Sequence, residues 1–176
     1  MKLTKSLFIF AGVAIAMMSS CTASKSNLTA SGLDPVKFDT TINNKPVKLF
    51  VLKNANKMEV CVTNFGGRVV SIMVPNKGNV PTDVVLGYDN IAQYADSVHN
   101  GSDFGAAIGR YANRINHGKI VVAGKTIQLP INNYGHTLHG GPSGWQYQVY
   151  DGKQLNDSTL QLVMHSPDKD NNFPGN

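Results

Sequence analysis

The chain has 176 residues, of which 41% are hydrophobic and 15% are charged, and its formal net charge at pH 7 is +5. This positive excess is mild and contains no basic run, so we expect no nucleic-acid partner. The sequence also lacks a glycine-rich phosphate loop and a Gly-x-Ser-x-Gly elbow. The sequence therefore does not support nucleotide binding or serine-hydrolase activity.

The first residues have the layout of an export signal. Two lysines precede an apolar run at residues 7–18, which is too short to span a bilayer, since that takes about 20 residues. Ser19 and Ser20 then precede Cys21, as in the cleavage box of bacterial lipoproteins. We expect residues 1–20 to be a lipoprotein signal peptide. Cys21 would then carry the lipid that anchors an exported protein to the membrane, on its periplasmic or cell-surface side; an ordinary cleaved signal is the alternative.

The next segment is predicted to be a tether. Residues 21–36 hold the cysteine and a polar, aperiodic stretch rich in Ser and Thr, which is typical of a flexible linker. Removal of residues 1–20 lowers the net charge from +5 to +3, because they contain two lysines and no acidic residue. If Cys21 carries lipid, Cys61 has no disulfide partner in the chain, and its strand-like surroundings predict a packed side chain. Residues 37–176 are long enough for one domain with a core.

Eight short segments of this domain read as β-strands, because each is β-branched or aromatic and is bounded by Gly, Pro, Asn or Asp. They are residues 47–52, 58–63, 68–74, 84–88, 119–122, 126–129, 147–151 and 159–164. Ala123 and Gly124 predict a two-residue hairpin turn, and residues 90–95 predict one brief helical turn. The pattern indicates an antiparallel, all-β domain.

Four segments follow one another in a specific order. They are NFGGRVVSIMVP at residues 64–75, DVVLGYDNIAQY at 83–94, IGRYANRINHGKI at 108–120 and LHGGPSGW at 138–145. This succession resembles the aldose 1-epimerase (galactose mutarotase) family, and the likeness continues weakly into the terminal DKDNNFPGN. The resemblance implies an antiparallel β-sandwich of the galactose mutarotase-like supersandwich type. It also implies a hexose substrate, exchange of its α and β anomers, and no metal or organic cofactor.

The chemistry of anomer exchange explains which residues such a site needs. The ring opens when a base removes the C1 hydroxyl proton while an acid protonates the ring oxygen, and donors must hold the remaining hydroxyls. The resemblance implies that Asn113, Arg114 and His139 bind the substrate. An amide and a guanidinium suit a neutral, hydroxyl-rich ligand. Adjacent residues of a straight strand face opposite sides, so the backbone must turn if Asn113 and Arg114 are to reach one sugar.

Structural interpretations of the same residues remain open at this point. Arg114 is alternatively a surface residue or the partner of a carboxylate such as Asp103. His139, which precedes two glycines, alternatively caps a turn. Arg68 and Arg110 stand at recurrent positions of the family pattern, and we expect structural roles for both.

Metal binding is not expected. His136 and His139 lie three residues apart, a spacing that shares a face only on a helix, and the neighbouring Pro130 and Gly135 argue against a helix. The terminal DKDNN begins like a calcium loop, but Phe173 occupies the place of the turn glycine.

The resemblance implies no catalytic residue within this chain. The family's general-acid histidine and general-base glutamate lie beyond the point that matches Asn176, and His165 lacks the flanking motif. We therefore expect an N-terminal half, a truncated form that is inactive alone and leaves its sandwich incomplete. The rival hypothesis from another class is a non-catalytic carbohydrate-binding lipoprotein that keeps Asn113, Arg114 and His139 without the chemistry.

Overall fold

The computed structural model describes residues 27–96 and 101–176. The predicted signal peptide and the predicted lipidation of Cys21 lie outside these residues. Within them, no helix is long and apolar enough to cross a membrane.

Ordered packing begins upstream of the domain boundary predicted at residue 37. The Ala30 N–H donates to Glu59 Oε1 at 2.6 Å, and Leu33 is buried in the main core. A 3-10 helix follows at Pro35–Phe38, where the Asp34 side chain caps the first turn. Phe38 at its end is fully buried. Part of the segment predicted as a tether therefore belongs to the packed domain.

A four-stranded antiparallel sheet forms the largest element. A small hairpin, β1 (Thr40–Ile42) and β2 (Lys45–Val47), precedes it. The sheet then follows chain order, with neighbouring strands hydrogen-bonded. Its strands are β3 (Leu49–Lys53), β4 (Glu59–Thr63), β5 (Arg68–Pro75) and β6 (Pro81–Asp83).

The remaining elements are short, and their strands form two-stranded antiparallel pairs. The described residues form one α-helix, α1 (Ile91–Ala95), with Asn90 as its N-cap. Three antiparallel pairs are formed by β7 with β10, β8 with β9 and β11 with β12. Their bounds are β7 (Arg114–Ile115), β8 (Lys119–Val122), β9 (Lys125–Gln128), β10 (Thr137–Leu138), β11 (Asp151–Asn156) and β12 (Thr159–Val163). Further 3-10 helices lie at Asn116–Gly118, Trp145–Tyr147 and Asp170–Asn172.

Most local predictions are confirmed. The strand at residues 119–122 has the predicted bounds, and the helical turn forms with Asn90 at its N-cap. Ala123 and Gly124 make the hairpin turn with φ of 49° and 74°, the positive values that suit the right-handed twist of the flanking strands. The antiparallel, all-β class follows directly from these pairings.

Two strand predictions are wrong. Residues 84–88 are not a strand, because the Asp83 carboxylate accepts from the Ile72 N–H at 3.1 Å and so ends the β5–β6 ladder. Residues 147–151 are not a strand either: the 3-10 helix Trp145–Tyr147 takes up the start of this segment, and β11 begins only at Asp151. In both places a side chain or a tight turn replaces the ladder that β-propensity favoured.

The core formed by the described residues consists of two clusters. The main cluster joins the sheet to α1 and to the Phe38 ring, and includes Tyr94 and Cys61 among its buried members. A smaller cluster of Ile115, Leu129 and Phe173 lies under β8 and β9. Because Ile115 directly follows Arg114, this second core anchors the strand that carries a predicted binding residue.

Candidate functional site

Close backbone contacts bring three loops together. A Cβ added to Gly140 would collide with the carbonyl of Gly109, and one added to Gly109 would collide with the Trp145 ring. A Cβ on Gly144 would collide with the carbonyl of His139. Glycine is therefore required where the segment before Asn113, the loop after His139 and the turn before Trp145 meet.

Asn113 and His139 form a reciprocal pair at the end of the β7–β10 ladder, in which Arg114 lies opposite Leu138. The His139 N–H donates to the Asn113 carbonyl at 3.2 Å, and the Asn113 N–H donates to His139 Nδ1 at 2.9 Å. Both residues have left-handed backbones, with φ of 67° at Asn113 and 52° at His139. The backbone thus turns at Asn113, as it must if Asn113 and Arg114 are to serve one ligand.

The Asn113–His139 pair fixes the tautomer of the imidazole. A backbone N–H can donate only to an unprotonated ring nitrogen, so Nδ1 of His139 carries no proton. The proton of the neutral ring is then on Nε2, which makes this atom a hydrogen-bond donor. His139 is half-buried, and its Nε2 can donate a hydrogen bond but cannot accept one.

Arg114 projects from the same ladder and is exposed. Its backbone N–H donates to Asn113 Oδ1 at 2.9 Å, and its Nε donates to Asn133 Oδ1 at 2.9 Å. In the part of the chain that the structure describes, neither Nη atom has a hydrogen-bond partner. The alternative pairing of Arg114 with Asp103 is wrong, since Asp103 lies 3.8 Å from Arg68 Nη2 instead.

Arg68 has the structural role expected of it. Its side chain is fully buried, and Nη1 donates to the carbonyls of Phe65 and Gln146. The guanidinium also lies 4.9 Å from the Phe65 ring centroid and 5.6 Å from that of Tyr94. Burial lowers the pKa of Arg68, and the charge of Asp103 opposes this effect. The buried cation ties β5 to the turn that packs against His139.

Arg110 is likewise structural, as expected. Its Nε donates to Ser166 Oγ at 2.8 Å, and its Nη atoms donate to the carbonyls of Ser166, Pro167 and Pro174. These hydrogen bonds hold the loop before Asn113 against the segment after β12. All three of its nitrogens are engaged, which distinguishes it from Arg114.

The side chains of the other two histidines of this region, His117 and His136, contact each other. The His117 N–H donates to His136 Nδ1 at 3.1 Å, and the two rings lie 5.4 Å apart. Among residues 27–96 and 101–176, no three His, Cys, Asp or Glu side chains are close enough to hold a metal ion.

Comparison with known proteins identifies the family. Residues 48–176 match the family model described as aldose 1-epimerase. The chain is 31% identical over 132 residues to aldose 1-epimerase of Escherichia coli, covering 75% of this chain and 37% of the relative. Galactose mutarotase of Mus musculus is 30% identical over 129 residues, covering 73% and 36%. The chain belongs to the aldose 1-epimerase family.

A solved structure confirms the predicted fold of this family member. The crystal structure of an aldose epimerase homologue from C. elegans superimposes with a TM-score of 0.68 at 26% identity, covering 73% of this chain and 39% of that one. The antiparallel, galactose mutarotase-like β fold is therefore established. The chain spans little more than a third of the length of these relatives.

Two residues of the candidate site were not predicted from the sequence. Asn133 holds Arg114, and the buried Gln146 donates from Nε2 to the His139 carbonyl at 3.2 Å. The two adjacent asparagines of the segment INNYGH, residues 131–136, were the only local signal for Asn133. Nothing in its type or spacing marks Gln146, because its role depends on the turn at Trp145–Tyr147.

Proposed function

We propose that this chain supplies the hexose-binding part of an aldose 1-epimerase, which interconverts the α and β anomers of free hexoses such as glucose or galactose. One observation carries the proposal: Asn113 and His139 hold each other in place beside an arginine whose Nη groups point to no protein partner in the described residues. The matching relatives are named for this activity, and none of those compared favours the non-catalytic alternative.

In the proposed complex the three side chains act as donors to sugar oxygens. Arg114 donates through its Nη groups, His139 through Nε2, and Asn113 through Nδ2, because its Oδ1 already accepts from the Arg114 N–H. Such an array suits a pyranose, whose oxygens accept in several directions. The fixed charge of Arg114 stabilises negative charge that develops on a sugar oxygen as the ring opens.

Proton transfer in the proposed reaction needs groups beyond these three. Among the described residues, no carboxylate hydrogen-bonds with Asn113, Arg114 or His139, and the family resemblance puts the general-acid histidine and general-base glutamate after Asn176. The 176-residue chain is thus proposed to bind hexose without catalysing its mutarotation.

Polarimetry of fresh α-D-galactose tests this assignment. We expect the optical rotation to change at the buffer rate when the purified 176-residue chain is added, because a binding site without an acid–base pair gives little acceleration. A rate well above buffer that is lost in the Arg114→Ala variant would place the acid–base groups within this chain.

We also propose that the protein is an exported lipoprotein attached through Cys21. The support is the sequence of the first 21 residues, with its apolar run and small residues before the cysteine. Fatty-acid labelling in a bacterial host should mark the wild-type chain and not the Cys21→Ser variant. Equal labelling of both, or of neither, would contradict the anchor.

A further inference from the structure

The Arg114 guanidinium is held at one corner only. Its Nε donates to Asn133 Oδ1 at 2.9 Å, which uses one of the five N–H donors of the group. The remaining four are on Nη1 and Nη2, and they have no hydrogen-bond partner within residues 27–96 and 101–176. The edge of the planar guanidinium formed by Nη1 and Nη2 therefore faces away from Asn133.

Asn133 is itself held by its own turn. Its backbone N–H donates to the His136 carbonyl at 3.1 Å, and its carbonyl accepts from the His136 N–H at 2.9 Å. This two-way pairing makes an isolated antiparallel bridge. The backbone that carries the amide is therefore held in place, which limits the directions from which Asn133 can meet Arg114.

A neighbouring side chain ties this turn to β10. Asn132 accepts from the Leu138 N–H at 2.7 Å and donates to the Leu138 carbonyl at 3.0 Å. Leu138 lies opposite Arg114 in the β7–β10 register. The turn that carries Asn133 is thus tied to β10, which pairs with the strand that carries Arg114.

We propose that Asn133 is a positioning residue that acts through Arg114. It accepts the Nε–H, fixes the plane of the guanidinium and turns the Nη edge toward the hexose. A free arginine side chain has several rotatable bonds, and ordering them on binding costs affinity; a preset fork avoids much of that cost. The inference rests on the proposed hexose-binding function.

The test compares Asn133→Ala, Asn133→Asp and a matched control, Asn56→Ala, in the full chain. Asn56 is exposed, and its side chain makes no hydrogen bond to the described residues. One readout is the Arg114 Nε–H signal in ¹H–¹⁵N NMR spectra, assigned by its loss in Arg114→Lys. The other is the dissociation constant for D-galactose from isothermal titration calorimetry.

We expect Asn133→Ala to shift the Nε–H signal, to speed its exchange with water and to weaken galactose binding by about tenfold. Asn133→Asp retains an acceptor and should restore both readouts, while Asn56→Ala changes neither. If the wild type binds galactose and Asn133→Ala matches it in both readouts, the positioning role is wrong and the proposed function stands. If the wild type does not bind while the Nε–H signal still responds to Asn133→Ala, the proposed function fails and the role for hexose fails with it.

Discussion

Arg68 and Arg114 are two arginines of one domain with opposite environments. The Arg68 side chain is fully buried and bonded to backbone carbonyls, whereas Arg114 is exposed. Removing a buried cation leaves its partners unsatisfied, so Arg68→Met should lower the free energy of unfolding by about 3 kcal/mol. Arg114→Met should change it by less than about 1 kcal/mol. Urea denaturation followed by circular dichroism measures both; equal losses would contradict this distinction.

Cys61 predicts a pH dependence of stability. Burial, followed by the charge of Glu59, raises the pKa of the Cys61 thiol from 9.0 to about 11. Between these values the native state keeps a proton that the unfolded state releases, so stability is complete below pH 9 and falls as the pH rises to 11. The wild type should lose about 1 kcal/mol per pH unit more than Cys61→Ala in this window. If the wild type and Cys61→Ala lose equal stability between pH 8 and pH 10, the raised pKa of Cys61 is contradicted.

At the scale of single residues, the sequence indicated which residues to consider but not their hydrogen-bond partners. The family pattern led to the prediction that Asn113, Arg114 and His139 bind the sugar, and the structural roles of Arg68 and Arg110 were expected. Their partners were not predictable, because they come from distant segments: 78 residues separate Arg68 from the Gln146 carbonyl. Asn133 was missed for the same reason, since contact with Arg114 exists only after β7 pairs with β10.

Among the elements, two backbone segments come very close where the loop after His139 meets Gly109. Gly140 and Gly32 have nearly equal φ, 82° and 83°, but a Cβ is blocked by backbone only at Gly140. Gly32→Ala should therefore cost about 1 kcal/mol of stability from the left-handed backbone alone. Gly140→Ala should cost about 2 kcal/mol more, because the loops must separate. It should also weaken galactose binding, whereas Gly32→Ala should not.

Denaturant unfolding and calorimetric titration of the two glycine variants provide this comparison. A similar loss of stability in both, with unchanged binding, would mean that the loops do not need this close approach.

The prediction of elements succeeded where local chemistry is decisive. The Ala123–Gly124 turn and the helical turn at residues 90–95 depend on a few neighbouring residues, and both formed as expected. The strand predicted at residues 84–88 failed because one side chain, that of Asp83, ends the ladder. The two-residue strands β7 and β10 are too short to show periodicity, although they build the site.

On the scale of the whole molecule, the candidate site links the two cores. Ile115 anchors β7 in the smaller core. On the other side, Gln146 connects the His139 carbonyl to the buried Arg68. The predicted all-β class followed from the short strand patterns, and the family followed from the order of motifs along the chain. The division into two cores did not, because it depends on pairings between distant segments.

Hexose recognition by Asn113, Arg114 and His139 is tested most directly by ¹H–¹⁵N NMR of the 176-residue chain during titration with D-galactose. We predict saturable shifts concentrated at these three residues and their ladder neighbours, and loss of saturation in Arg114→Ala. Shifts confined to other surfaces, or the absence of any saturable change in a folded wild-type chain, would contradict the account.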